Sequence, residues 1–415
     1  MKHMLAALLA LAVLCPFGHA ADKETKPKTE LDPDVKADRT AVVQGDNQFA
    51  LDLYAKLHGQ EGNLFFSPYS ISTALAMTRA GALGDTAAEM DKTLHFSLPQ
   101  EKLHPALAGL IKEINGDPTD KKRGYQLSTA NALWGQKDFG FKADYLKLLN
   151  DSYGAGLTEL DFTTAAEASR KTINSWVEKE THDKIKELLK QSDVKEDTRL
   201  VLTNAIYFKG DWVMRFKKDL TKNAPFYLTA DKKVNAPLMR EKTELNYFDG
   251  GTFQALELPY TGKNLSMVVL LPKKMDGLAD LEKDLTADKL AGWIGKLNKQ
   301  EVNVSLPKFK TTQSMNMRNV LTEMGMSSAF SDKADLSGMA GTPGQLRISD
   351  VIHKAYIDVN EEGTEAAAAT AVVVFLGGPP SQAPEFRADH PFLFLIRDNR
   401  SDSILFLGRV ADPTK

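Results

Sequence analysis

The segment Asn360-Glu361-Glu362-Gly363-Thr364-Glu365-Ala366-Ala367-Ala368-Ala369-Thr370-Ala371-Val372-Val373-Val374-Phe375-Leu376-Gly377-Gly378-Pro379-Pro380 starts acidic, passes through a run of alanines, and ends on apolar β-formers. No proline interrupts it before Pro379, and no charge follows Glu365. In an extended chain, side chains alternate between two faces. Thr364, Ala366, Ala368, Thr370, Val372, Val374 and Leu376 would share one face, each small or apolar. Glu365, Ala367, Ala369, Ala371, Val373 and Phe375 would share the other. Two readings fit. Alanine runs favour helix, so Glu362 to Ala371 reads as a surface helix before an edge strand. Alternatively, the segment is a loop held outside a sheet and later inserted into it. Small residues would ease threading, and without proline every amide is free for the ladder.

The surrounding chain has 415 residues, 42% hydrophobic and 26% charged, a soluble globular composition. Length alone suggests two or three domains, but no Pro/Gly/Ser-rich linker follows residue 40. A net charge of -3 gives no reason to expect nucleic acid or an anionic membrane as partner. At the start, Met1-Lys2-His3 leads into an apolar run from Met4 to Leu14, with small residues at Gly18 and Ala20. Residues 1–20 therefore read as a secretory signal peptide, too short in its apolar part to span a bilayer. The single cysteine, Cys15, leaves with it, and Leu14 is too large for a lipoprotein cleavage site. Residues 21–39 are rich in Lys, Asp, Glu, Thr and Pro and read as a disordered charged tether. A single domain over 40–415 follows. Its first helix is expected from Arg39 or Thr40, with Val43, Phe49, Ala50, Leu53 and Leu57 at helical spacing.

Asn63 to Met77 reads as a short strand, a turn at Ser67-Pro68 and a helix. Tyr125 to Trp134 alternates as a strand with Leu127, Thr129, Asn131 and Leu133 on one face. Phe141 to Leu149 and Ala165 to Leu189 read as helical. Arg199 to Gly210 is almost continuously apolar, as buried central strands are. Asn204 stands on an apolar face with Leu202 and Ile206, so it needs partners. Phe253 to Tyr260 and Leu265 to Pro272 form an expected hairpin, Val302 to Phe309 a strand, and Ile348 to Val359 a strand leading into the opening segment. Phe386 to Ile396 and Ile404 to Val410 read as a buried hairpin.

The sequence has no H-E-x-x-H, C-x-x-C, phosphate loop, G-x-G-x-x-G or G-x-S-x-G pattern, and its eight histidines lack metal-like spacing. No catalytic residue, metal or cofactor is expected, and an enzyme is not the expected reading.

Several pieces together resemble the serpin family. Glu361-Glu362-Gly363-Thr364-Glu365-Ala366-Ala367-Ala368-Ala369-Thr370 is similar to the hinge of an inhibitory reactive-centre loop. Asn63 to Met77, Thr203-Asn204-Ala205-Ile206-Tyr207-Phe208-Lys209-Gly210 with Trp212, Glu257-Leu258-Pro259-Tyr260, and Leu306-Pro307-Lys308-Phe309 match other family pieces. So do Asp389-His390-Pro391-Phe392 and Phe406-Leu407-Gly408-Arg409. The resemblance runs from about Asn47 to Pro413.

It implies an α+β serpin fold with three β-sheets, about nine helices and an exposed reactive-centre loop over 361–385. It also implies suicide inhibition. A serine protease attacks one loop bond and forms an acyl-enzyme, and the freed arm enters the main sheet as a new strand. Serpin loop insertion is a known case of strand addition and of released strain. In the family register the bait bond is Gly377–Gly378; a register one residue shorter puts Leu376 before the bond, and Phe375 comes next. Val374, Phe375 and Leu376 suggest elastase-like or chymotrypsin-like targets. The resemblance assigns Ser67, Ser70, Asn204 and His353 to a cluster beneath the sheet, where strands must part (the shutter). Glu361 and Lys308, with Trp212 nearby, would mark the loop's entry point (the breach). A secreted monomer, extracellular or periplasmic, from a bacterial source is expected, with a protease as covalent partner. The alternative is a non-inhibitory serpin acting as a binding, carrier or chaperone-like protein.

Overall fold

The computed structural model describes residues 33–117, 120, 123–154, 156–364 and 383–415. The chain opens with α1 (Pro33–Leu57), β1 (Leu64–Phe66), α2 (Pro68–Arg79), α3 (Gly84–Leu94) and α4 (Gln100–Asn115). There follow β2 (Tyr125–Gln136), α5 (Ala143–Tyr153), β3 (Leu157–Leu160), α6 (Phe162–Glu180) and β4 (Leu200–Asp211). Next come β5 (Lys222–Tyr227), β6 (Lys233–Asp249), β7 (Phe253–Pro259), β8 (Leu265–Pro272), α7 (Leu278–Asp284) and α8 (Ala287–Ile294). The chain closes with β9 (Asn298–Pro307), β10 (Phe309–Asn316), α9 (Arg318–Glu323), β11 (Asp350–Asn360), β12 (Gly363–Thr364), β13 (Glu385–Arg387), β14 (Phe392–Asp398) and β15 (Ile404–Val410). The expected α+β architecture is present, with nine α-helices among the described residues.

One sheet has six strands in the order β10-β11-β12-β4-β2-β3. β4 lies within it and is buried on both faces. Leu200, Leu202, Ile206 and Phe208 join the main core, and Phe208 lies 5.8 Å from the Phe406 ring on β15. Val201, Ala205 and Tyr207 join a second cluster with Ile173 and Val177 of α6. Two buried faces explain why this strand reads as a continuous apolar run.

The other sheet follows the order β1-β15-β14-β8-β7-β6-β9-β13, with β5 also on β6. The long strand β6 pairs with β5 and β9 along most of its length, and with β7 only over Asn246–Asp249. Two of the three expected sheets are thus the two ends of one hydrogen-bonded path that share β6. Helix α2 touches β2 and β4 of the first sheet and β15 of the second. It is buried from Pro68 to Thr78, and Ser67 caps its start by accepting from the Ser70 amide.

Four boundaries differ from the sequence reading. Helix α1 starts at Pro33, so residues 33–39 are helical and not part of a tether. Proline suits a first helical turn, and Asp38 and Arg39 are held by Lys102 and Glu113. Helix α6 ends at Glu180, well before Leu189. Thr181 Oγ1 donates to the Val177 carbonyl and accepts from the Ile185 amide, and His182 and Asp183 take positive φ. The Phe386–Ile396 arm is divided into β13 and β14, and Pro391 lies in the break. At Lys308 the chain leaves one sheet, and Phe309 opens β10 in the other.

Candidate functional site

β12 is a two-residue wedge at one end of the boundary between β11 and β4. Thr364 lies opposite both Val359 and Gly210, and Gly363 opposite both Asn360 and Asp211. Beyond the wedge, β11 and β4 pair directly and in parallel, from Asp350 with Val201 to Tyr356 with Tyr207. Gly363 has φ +153°. A Cβ there would meet the Gly210 carbonyl oxygen at 2.0 Å, so only glycine fits this close approach.

Thr364 is fully buried, and its Oγ1 shares a hydrogen bond of 2.8 Å with the Tyr260 hydroxyl. Tyr260 stacks on Trp212, ring centroids 4.5 Å apart. The Trp212 indole donates to the Asn360 carbonyl at 3.0 Å, and its backbone amide donates to the Glu362 carbonyl at 2.9 Å. Two ion pairs hold the turn before the wedge: Lys308 to Glu361 at 2.8 Å, and Lys218 to Glu362 at 2.5 Å. Burial works to raise the Glu361 carboxyl, but the Lys308 ammonium outweighs it with its partners, and the group titrates below its usual range. The lysine is partly exposed, so this pair positions the turn more than it stabilises the fold.

The second group of polar residues lies where β2, β4 and β11 run side by side. Asn131, Asn204 and His353 are in register across the three strands. The Asn204 amide donates to the Ser70 carbonyl at 2.7 Å, to Ser70 Oγ at 2.7 Å and to Asn131 Oδ1 at 2.5 Å. Ser70 Oγ donates to Asn131 Oδ1 at 3.0 Å. His353 Nε2 accepts from the Ser67 amide at 3.1 Å, so its Nδ1 carries the proton and donates to Asn204 Oδ1. Ser67 Oγ donates to the Leu405 carbonyl on β15 at 2.6 Å. Burial pushes the His353 imidazole down to about 3, so it is neutral at physiological pH. The cluster ties α2 to the β4–β11 boundary and to the second sheet.

The structure therefore brings Ser67, Ser70, Asn204 and His353 into one network, and Trp212, Lys308 and Glu361 into another. Of the hinge residues, Glu361, Glu362, Gly363 and Thr364 are described. Glu365, Ala366, Ala367, Ala368, Ala369 and Thr370, and the bait-bond candidates Leu376, Gly377 and Gly378, lie outside the described residues, as do residues 1–20, the stretch expected to be a signal peptide. Asn131, Tyr260 and Lys218 were missed from the sequence. Asn131 carried a weaker form of the Asn204 signal, a polar residue between Leu127 and Leu133 on a strand face that also carries Thr129. Tyr260 ends the Glu257-Leu258-Pro259-Tyr260 piece, which gives no sign of its hydroxyl contact.

Comparison with known proteins agrees with this geometry. Residues 44–413 match the family model Serpin (serine protease inhibitor). The chain is 45% identical over 386 residues to human leukocyte elastase inhibitor, covering 90% of this chain and 99% of that protein. It is 42% identical over 393 residues to human Serpin B3, covering 90% of this chain and 100% of that protein. Among solved structures, Serpin48 of the insect Tenebrio molitor aligns with a TM-score of 0.80 at 33% identity, covering 95% of this chain and 100% of that one. These relatives are animal proteins and lend no support to a bacterial source. With the fold, the wedge strand and the polar network beneath it in place, the chain belongs to the serpin (serine protease inhibitor) family.

Proposed function

We propose that the chain is an irreversible suicide-substrate inhibitor of an elastase-like or chymotrypsin-like serine endopeptidase. One observation carries the reading: β12 already pairs with both β11 and β4. Thr364 points inward from that position. Continued at period two, the same face would carry Ala366, Ala368, Thr370, Val372, Val374 and Leu376 inward, with no charge to bury. In this mechanism the protease serine attacks the bait carbonyl and the downstream amine leaves. The esterified arm then separates β11 from β4 and fills the gap as a full strand. About a dozen new ladder bonds at roughly 0.5–1.5 kcal/mol each would drive the step. The uncleaved fold is then a kinetic trap above the inserted one.

The apolar Val374-Phe375-Leu376 run, and the elastase inhibitor among the relatives, support the target class. We read the protein as an exported monomer that needs no cofactor. Mixing the mature chain with pancreatic elastase, chymotrypsin and trypsin tests the proposal. A band on a denaturing gel at the summed mass with elastase or chymotrypsin is expected. Cleavage by all three without such a band would overturn it.

A further inference from the structure

β3 covers only part of the β2 edge, pairing with Leu133 to Gln136. Beside that edge is a cavity of about 400 Å³, within the size range of small-molecule sites. Thr129, Asn131 and Trp134 of β2, Tyr153 of α5, and Trp176 and Glu180 of α6 contribute to its walls. Among its described lining residues there is no lysine, arginine or histidine. The Trp134 and Trp176 rings meet edge to face with centroids 5.3 Å apart. The Trp134 indole nitrogen already donates to Thr203, so its ring surface and not its N–H faces any occupant's chemistry. Trp176 and Glu180 are four residues apart on α6, and residues at that spacing are neighbours on one helix face. Thr129 Oγ1 is buried and has no hydrogen-bond partner, which is costly unless something completes it.

We propose that this cavity is a binding site for a small aromatic amine. Its ring packs on the paired indoles, and its ammonium lies beside Glu180 and over the Trp176 face, where charge and ring quadrupole act together. A ring N–H or hydroxyl on the ligand completes Thr129. The absence of cationic lining disfavours anionic ligands of the same shape. The site is separate from the hinge, and it shares one residue with the polar network: Asn131, which lines the cavity and bonds Ser70 and Asn204. An occupant therefore packs on the group that holds β2 to β4.

Isothermal titration of the full mature chain with tryptamine, and with indole-3-propionate as the anionic counterpart, tests this directly. Tryptamine is expected to bind with a Kd on the order of 0.1–1 mM, the range ligand efficiency allows for its size. Indole-3-propionate should bind at least about threefold more weakly, and Glu180→Gln, at an exposed position, should weaken tryptamine about threefold. Thr129→Val should weaken it about threefold or more while the thermal unfolding of the variant stays cooperative. No tryptamine binding up to about 5 mM, equal binding of the two probes, or an unchanged affinity in Glu180→Gln would each overturn the proposal.

Discussion

Gly363 sits so close to Gly210 that a Cβ on the first would stand 2.0 Å from the carbonyl oxygen of the second. The contact is backbone against backbone, so no side chain can give way. Gly363→Ala is therefore expected to expel the wedge strand. Thermal unfolding should show a loss of about 1–3 kcal/mol. In a stoichiometry assay against the target protease, more molecules should be cleaved per protease inhibited. Unchanged stability and stoichiometry would mean the hinge does not need this seat.

Thr364 is fully buried against Tyr260. Thr364→Arg would place a charge in that position, and buried unpaired charges are strongly disfavoured. The variant should still be cut in its loop but should form little covalent complex. Full retained inhibition, read from residual protease activity, contradicts the insertion route.

The His353 imidazole is depressed to about 3 by burial. A depressed base contributes stability that is fully present above its unfolded value, ordinarily about 6.5, and is lost as pH falls toward 3. Asn204→Ala would leave the His353 Nδ1–H without its acceptor and Ser70 Oγ without its donor, at a cost of about 1–3 kcal/mol. Urea unfolding at pH 7 should show that loss. A neutral result would place little weight on the network.

Asp46 on α1 behaves in the opposite sense. Burial raises its carboxyl to about 7, only partly offset by the bond from Ser72, and its Oδ2 has no partner. Its folded value lies above the unfolded one. The native state therefore holds the extra proton between about pH 4 and 7, and this contribution to stability is lost as pH rises through 7. Subtracting the Asp46→Asn stability curve from that of the unaltered chain should leave a downward slope between about pH 4 and 7 that levels off above it. A flat difference would show that Asp46 is not protonated in the fold.

Much of this was legible in the sequence because burial leaves a pattern. β4 announced itself by an apolar run on both faces, and Asn204 by interrupting one of them. Asn131 interrupted the β2 face in the same way but stood beside Thr129, so its polarity looked like partial exposure. β5, β6 and β10 were not read at all. β6 carries Glu241, Lys242, Glu244 and Asn246 between its buried residues, and charge on a half-exposed strand hides its period. The end of α6 differs because Ile185, Leu188 and Leu189 keep a helix-like apolar spacing while lying in irregular chain that packs with Ile173 and Val177 of α6. Tertiary packing, not local propensity, sets that boundary.

After cleavage the segment beyond Thr364 is expected to become a strand between β11 and β4. The most direct measurement is the thermal melt of the protein nicked within 365–382, compared with the intact chain. A dozen new ladder bonds spread over a domain of this size should raise the midpoint by about 15 °C. A nicked protein that melts at or below the midpoint of the intact chain would contradict insertion.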